Sequence, residues 1–471
     1  MGNTEGDVTN TAGGTVSPLM RTLSTYIAQA GNNPLPDEIT EATKHHVLDT
    51  LAAMVSGVHL VPGERAIAYV KTLGGTREAA IPGTRILTNV VNAALTGGML
   101  AQAGETDDTH PLAGTHLGAC VVPAALAMAE REHAGGTAFL RAVALGYDVG
   151  MRAALSVGGS DFSLAGHNPA TVKNRGSFGG IFGAASACAS LARFNVDQIR
   201  YVLSYTGQQA SGLSNFAQDL EHNEKSFLIG GMPSRNGAFA ATMVGAGWTG
   251  VNDVFSGDNN FFATYGPNVH PEALVRGLGE SYEVARTTIK RWPVGAPVQA
   301  PLDSLHHLVN ANGIKAADVE KVVVRISHLG AYTVNNRSMA NINMQHVAAL
   351  MLLDGTVSFA STHDQSRLND PAVMDLRKRV ELHGDDELER AMPVRQGIVE
   401  LKLRDGRELR HHTTAVRGFA ENPMTREDVD QKCFPLMFPV LGKKRARELI
   451  GAIWDLDRAA DVCELRRLHR G

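Results

Sequence analysis

The stretch ETDDTHPLAGTH, from Glu105 to His116, sets three carboxylates, Glu105, Asp107 and Asp108, beside Thr109, His110 and His116. Carboxylates this crowded repel one another, which raises at least one pKa and turns that group into a proton donor or acceptor near neutral pH. An imidazole titrates in the same range. The residues alone leave three readings open. Asp108 and Thr109 can serve only to cap a turn. Asp107, His110 and His116 are ligand types that a hard or borderline metal ion accepts. His116, together with an acid, can carry out general acid–base work. No spacing rule selects a metal here, and none is expected.

The elements that must position this loop are helical. TNVVNAALTGGMLAQAG reads as a helix ending near Gly104, which leaves Glu105, Asp107 and Asp108 beyond its C-terminus, where the macrodipole disfavours negative charge. ACVVPAALAMA, Ala119 to Ala129, reads as a buried core helix, well short of the roughly 18 apolar residues a membrane span needs. From Ser17 to about Phe262 the pattern stays helical. In LPDEITEATKHHVLDTLAAMVSG, acids occupy the first turn, Ile39, Leu48, Leu51 and Val55 make a stripe, and Gly57 ends the helix. Glycine, 49 of 471 residues, exceeds the usual ~7%, so these helices can pack closely.

The texture changes after about Asn268. VEKVVVRISHLGAYTV begins with strand-like density, and QGIVELKLRDGRELRHHTTAV alternates around Asp405-Gly406, a hairpin signal. Helical patterns return from Thr425 and can fold back onto the first domain. The expected fold is mainly α plus α+β, with a disordered tail over residues 1–16. A large α-helical domain is built from 17–268 and 424–471, with an α+β lid inserted over 269–423 and the site in the cleft between them.

Several functions are excluded at this level. With 44 basic and 48 acidic residues interspersed there is no basic stripe, so neither nucleic acid nor a membrane is an expected partner. GAGWTG, Gly245 to Gly250, imitates a dinucleotide fingerprint but follows a helical run instead of a strand. No P-loop, G-x-S-x-G elbow or H-E-x-x-H is present. Cys120, Cys188, Cys433 and Cys463 are widely separated, which suits free thiols and a cytoplasmic location. The adjacent pairs His45-His46, His306-His307 and His411-His412 point in different directions and make poor chelates.

ETDDTHPLAGTHLGACVVPAALAMAE resembles the signature of the MmgE/PrpD family, whose members include 2-methylcitrate dehydratase, cis-aconitate decarboxylase and iminodisuccinate epimerase. The likeness continues in order through RGSFGGIFGAASACASL, EKSFLIGGMPSRNGAFAA, IKRWPV and NMQHVAALMLLDG, from about Leu19 to Leu468. It implies site roles for Glu105, where the decarboxylase branch has an aspartate, and for Thr109 and His116, with Lys225 and Lys290 as the substrate lysines and Tyr332 as a site tyrosine. Two family histidine positions hold Asn174 and Gly295 instead, and His167 is the loop histidine nearest the first.

Family substrates are small di- and tricarboxylates whose reactions make or protonate a carbanion beside a carboxylate. Such chemistry needs cations as clamps and a base at the carbon. His116, Glu105, Asp108 and Thr109 are the catalytic candidates; Lys225, Lys290, Arg175, Ser177, Arg291 and Tyr332 are the substrate-binding ones. Arg175 and Ser177 stand at a predicted helix start, where free N–H groups attract anions. The resemblance implies a cofactor-independent lyase of the 2-methylcitrate dehydratase type, usually a homodimer, working by α-proton abstraction from a small anionic carboxylate. The alternatives are an epimerase at a carbon α to a carboxylate and a non-catalytic carboxylate binder.

Overall fold

Helix Asp37–Gly57 runs through the middle of the structure. Asp37 and Glu38 in its first turn complement the helix dipole, and every residue from Val47 to Gly57 is buried. The sequence pattern predicts a one-sided stripe. Burial is all-round because the C-terminal helix Arg426–Leu441 packs against this helix, opposite its own domain neighbours. Leu48, Leu51 and Met54 are at most 1% exposed, and each contributes about 1.5–3 kcal/mol by its burial.

The computed structural model describes residues 16–158, 175–213, 219, 221–265 and 268–471. The tail expected over residues 1–16 lies, up to residue 15, outside these. The fold is mainly α plus α+β, a large helical domain carrying an α+β lid. Against the central helix pack Val90–Ala101, Leu117–Arg131 and Gly136–Ser156, and beyond them lie Val61–Leu73, Arg175–Leu191 and Met232–Gly245. Glycine sets the closest crossing: a Cβ on Gly183 would stand 2.5 Å from the Gly146 carbonyl oxygen, so backbone meets backbone between Gly136–Ser156 and Arg175–Leu191. A short antiparallel ribbon, Ala79–Ala80 with Leu87–Thr88, interrupts a region the pattern reads as helical.

The lid is built on a four-stranded sheet in the order Val380–Gly384, Val319–Ile326, Gly397–Leu403, Glu408–Thr413, the first pair parallel and the others antiparallel. The last two strands form the hairpin at Asp405-Gly406, where Gly406 takes a φ of 91°. Val322, Val324, Val399 and Leu401 bury one sheet face against helices Gln299–Asn312 and Met344–Asp354. Leu274, Val284 and Ile289 still belong to the helical cores, and the lid's own cluster begins at Trp292, later than the expected boundary at 269. Residues of the final helices, from Met424 to Leu468, join the main helical core. The four cysteines are free thiols. Among the described residues no helix is long and apolar enough to cross a membrane.

Candidate active site

Helix Val90–Ala101 delivers the acidic loop. Gly98 and Gly230 let the turn Phe227–Gly231 lie directly on it, since a Cβ on Gly98 would stand 2.4 Å from the Gly230 oxygen. That contact brings the short helix Asn223–Ser226, and Lys225 with it, to the start of the loop. On the other side, Thr109 and Thr288 exchange backbone hydrogen bonds of 3.0 Å, which tie the loop to the segment carrying Lys290.

A chain of charges results. The Lys225 ammonium is in direct contact with Glu105 Oε1. Lys290 Nζ lies 3.2 Å from the Glu105 carbonyl oxygen, 3.5 Å from Glu105 Oε2 and 3.6 Å from Asp107 Oδ1. His116 Nδ1 donates to Asp107 Oδ2 at 2.9 Å, which leaves Nε2 as the nitrogen free to move a proton. Glu105, Asp107 and Lys290 are each at most 3% exposed. Burial pushes Asp107 up, but the charges of His116 and Lys290 outweigh it and hold the carboxyl below its ordinary range. Burial pulls the Lys290 ammonium down against the opposing pull of Asp107 and Asp49. Burial, with help from Lys290 and Arg337, brings Lys225 down to about 7, and its contact with Glu105 works in the opposite sense. A lysine in that range can clamp an anion or exchange a proton.

The remaining expected site residues divide. The Thr109 hydroxyl is buried without a hydrogen-bond partner among the described residues and lines a narrow crevice with Lys290. Asp108 accepts from His46 Nδ1 at 2.7 Å, from the Tyr147 hydroxyl and from the Gly118 N–H at 2.9 Å, so it anchors the start of helix Leu117–Arg131, while its charge still supports the Lys290 ammonium. His110 is likewise engaged, donating to Glu283 at 3.0 Å and accepting from the Leu112 N–H, so it does not converge with Asp107 and His116 on a common point. Ser177 donates to the Ser211 carbonyl oxygen at 2.7 Å. Arg175 begins its helix, and its side chain lies outside the described residues, as do His167 and Asn174.

Two of the expected substrate-binding residues stand apart from this cluster. Arg291 pairs with Asp303 and stacks on Trp292, its guanidinium 4.6 Å from the ring, along an open groove of about 670 Å³ between the lid and the start of helix Arg426–Leu441, whose lining includes neither Lys225 nor Lys290. Tyr332 is 78% exposed, because strand Val319–Ile326 ends before it and the residue rides on the outer side of the short helix His328–Val334.

Three residues that no motif marks join the site. His222, three positions before Lys225, is 5% exposed, and its Nε2 lies 3.7 Å from Glu105 Oε1. Burial takes its imidazole down to about 4. Arg395 lines the crevice with Thr109 and Lys290, makes no ion pair among the described residues, and burial draws its guanidinium down to about 10. Arg337 of the lid stands near enough to Lys225 to depress it. Lid residue Phe359 closes over Gly104, and His363 lies beside His222.

Comparison with known proteins fits this arrangement. The chain is 22% identical to a cis-aconitate decarboxylase-like protein, oryM, of Aspergillus oryzae, across 95% of this chain and 96% of that one. It is 22% identical to a cis-aconitate decarboxylase of Aspergillus terreus, across 94% of each, and 25% identical to that of Homo sapiens, across 93% of this chain and 91% of the relative. The family models for the MmgE/PrpD N-terminal domain and the MmgE/PrpD C-terminal domain match residues 21–273 and 292–458. With both halves matched in order, the chain belongs to the MmgE/PrpD family.

Proposed function

We propose that the protein is a cofactor-independent lyase for a small di- or tricarboxylate, acting by removal of a proton from the carbon next to a carboxylate, and that the group eliminated is water. The observation that carries this reading is the convergence of Lys225 and Lys290 on Glu105, with the Asp107–His116 pair adjoining. Two ammonium groups and Arg395, which has no ion pair among the described residues, suit a polyanion, and the carbanion formed beside a clamped carboxylate delocalises its charge toward them. His116, oriented by Asp107, protonates the departing hydroxyl from Nε2.

Loss of water is favoured over loss of carbon dioxide, the reaction in the relatives' names, by the replacement at Gly295. A Cβ there would already stand 3.0 Å from Ile342 Cγ2, so an apolar wall takes the place where the family pattern has an imidazole. The test is incubation of the purified protein with 2-methylcitrate, citrate, malate and cis-aconitate in heavy water. Appearance of an alkene product from a hydroxy acid supports the proposal. Release of carbon dioxide from cis-aconitate assigns decarboxylation instead, and deuterium uptake with inverted configuration assigns epimerisation.

A further inference from the structure

Both His222 ring nitrogens are buried and make no hydrogen bond among the described residues. A buried imidazole left unpaired costs roughly 1–3 kcal/mol, so a site that keeps one has a use for it. The backbone adds to that cost. His222 has a φ of 64° and Glu105 a φ of 55°, two non-glycine left-handed residues whose side chains face each other across 3.7 Å. Such conformations cost about 1–3 kcal/mol each and concentrate where the surrounding fold holds a functional geometry. The groups facing the ring are Glu105, Asp107, Asp219, Lys290, His116 and, from the lid, His363. None of them satisfies either nitrogen.

We propose that His222 is the base that takes the α-proton of the substrate, serving as the second imidazole of a site in which Asn174 and Gly295 occupy the family's histidine positions. This rests on the reading of the site as one for proton abstraction next to a carboxylate. In the step, the Nε2 lone pair forms an N–H bond as the substrate C–H bond breaks. The electron pair left on carbon delocalises into the carboxylate held by Lys225 and Lys290. His116, protonated beforehand, gives its proton to the hydroxyl, whose C–O bond breaks to release water as the carbon–carbon double bond forms. His222 ends with one proton more and His116 with one fewer. A ring kept neutral by burial is ready to accept without first losing a proton.

The full chain labelled with 15N-histidine is titrated with tricarballylate, an unreactive tricarboxylate. Deuterium exchange into 2-methylcitrate, citrate and malate is followed for wild type, His222→Gln and His222→Asn, the last retaining a residue that tolerates a left-handed backbone. Tricarballylate is expected to shift the His222 ring nitrogens. Both variants are expected to keep tricarballylate affinity and lose about 100-fold or more in exchange. Ring signals unmoved at saturating tricarballylate, or exchange at the wild-type rate in folded variants, overturn the role of His222. Shifted ring signals with no exchange by the wild type would sink the proposed reaction while leaving His222 a substrate contact, which also overturns its role as the base.

Discussion

His116 and Lys290 share one carboxylate: Asp107 accepts from His116 Nδ1 at 2.9 Å on Oδ2 and faces Lys290 Nζ at 3.6 Å on Oδ1. Residues 174 positions apart are thereby bound into one electrostatic unit, and Asp107 fixes which imidazole nitrogen is left for chemistry. Asp107→Asn keeps the size of the side chain but removes the charge that offsets an imidazolium. It is expected to lower kcat by about 100-fold or more while KM changes little. Steady-state kinetics on the substrate found active decides it, and an unchanged kcat would make His116 a bystander.

Lys225 carries the next prediction. Burial disfavours its ammonium form and brings it down to about 7, so the clamp is charged below that pH and loses its charge above it. The kcat/KM for an anionic substrate is therefore expected to fall as pH rises through about 7. Lys225→Arg retains a positive charge at all accessible pH, so the alkaline limb should move upward or vanish even if the maximum rate drops. A limb that stays in place in the arginine variant would assign it to another group.

The seating of Lys225 depends on Gly98. Alanine at an interior helix position gains about 1 kcal/mol over glycine in intrinsic propensity, but here its Cβ would stand 2.4 Å from the Gly230 oxygen, which belongs to backbone and cannot rotate aside. The clash wins. Gly98→Ala is expected to cost about 1–3 kcal/mol, read as a lower midpoint in thermal unfolding, together with a raised KM as Phe227–Gly231 and Lys225 are displaced. A stabilised variant with normal KM would contradict the contact.

What the sequence could disclose followed from which residues act locally. Glu105, Thr109, His116, Lys225 and Lys290 sit in segments whose order and spacing resemble a family, and the lid hairpin announces itself through Asp405-Gly406. Asp108 shows the limit of such reading. It neighbours Asp107 in sequence and both charges act on Lys290, yet its hydrogen bonds go to His46 and Tyr147, so adjacent carboxylates take different partners in three dimensions. Tyr332 and Arg291 stand apart from the Lys225–Lys290 cluster, because a strand ends before the one and Asp303 pairs with the other. His222 could not be found from spacing, since its place depends on a left-handed backbone that its residue type does not advertise. Arg395 could not be found either, because it lies far from Lys290 in the chain and only the tertiary fold sets them on one crevice.

Arg395 also yields a prediction that separates stability from binding. Arg395 is half-buried with no carboxylate partner among the described residues, and burial lowers its guanidinium to about 10. Its removal therefore costs the fold little. A substrate carboxylate held by Lys290 would supply the missing partner, and a charge-assisted hydrogen bond of this kind is worth about 1.5–3 kcal/mol. Arg395→Gln should then raise KM by about tenfold or more while the thermal midpoint stays level. A fall in the thermal midpoint with KM unchanged would make Arg395 a structural residue and remove it from the clamp.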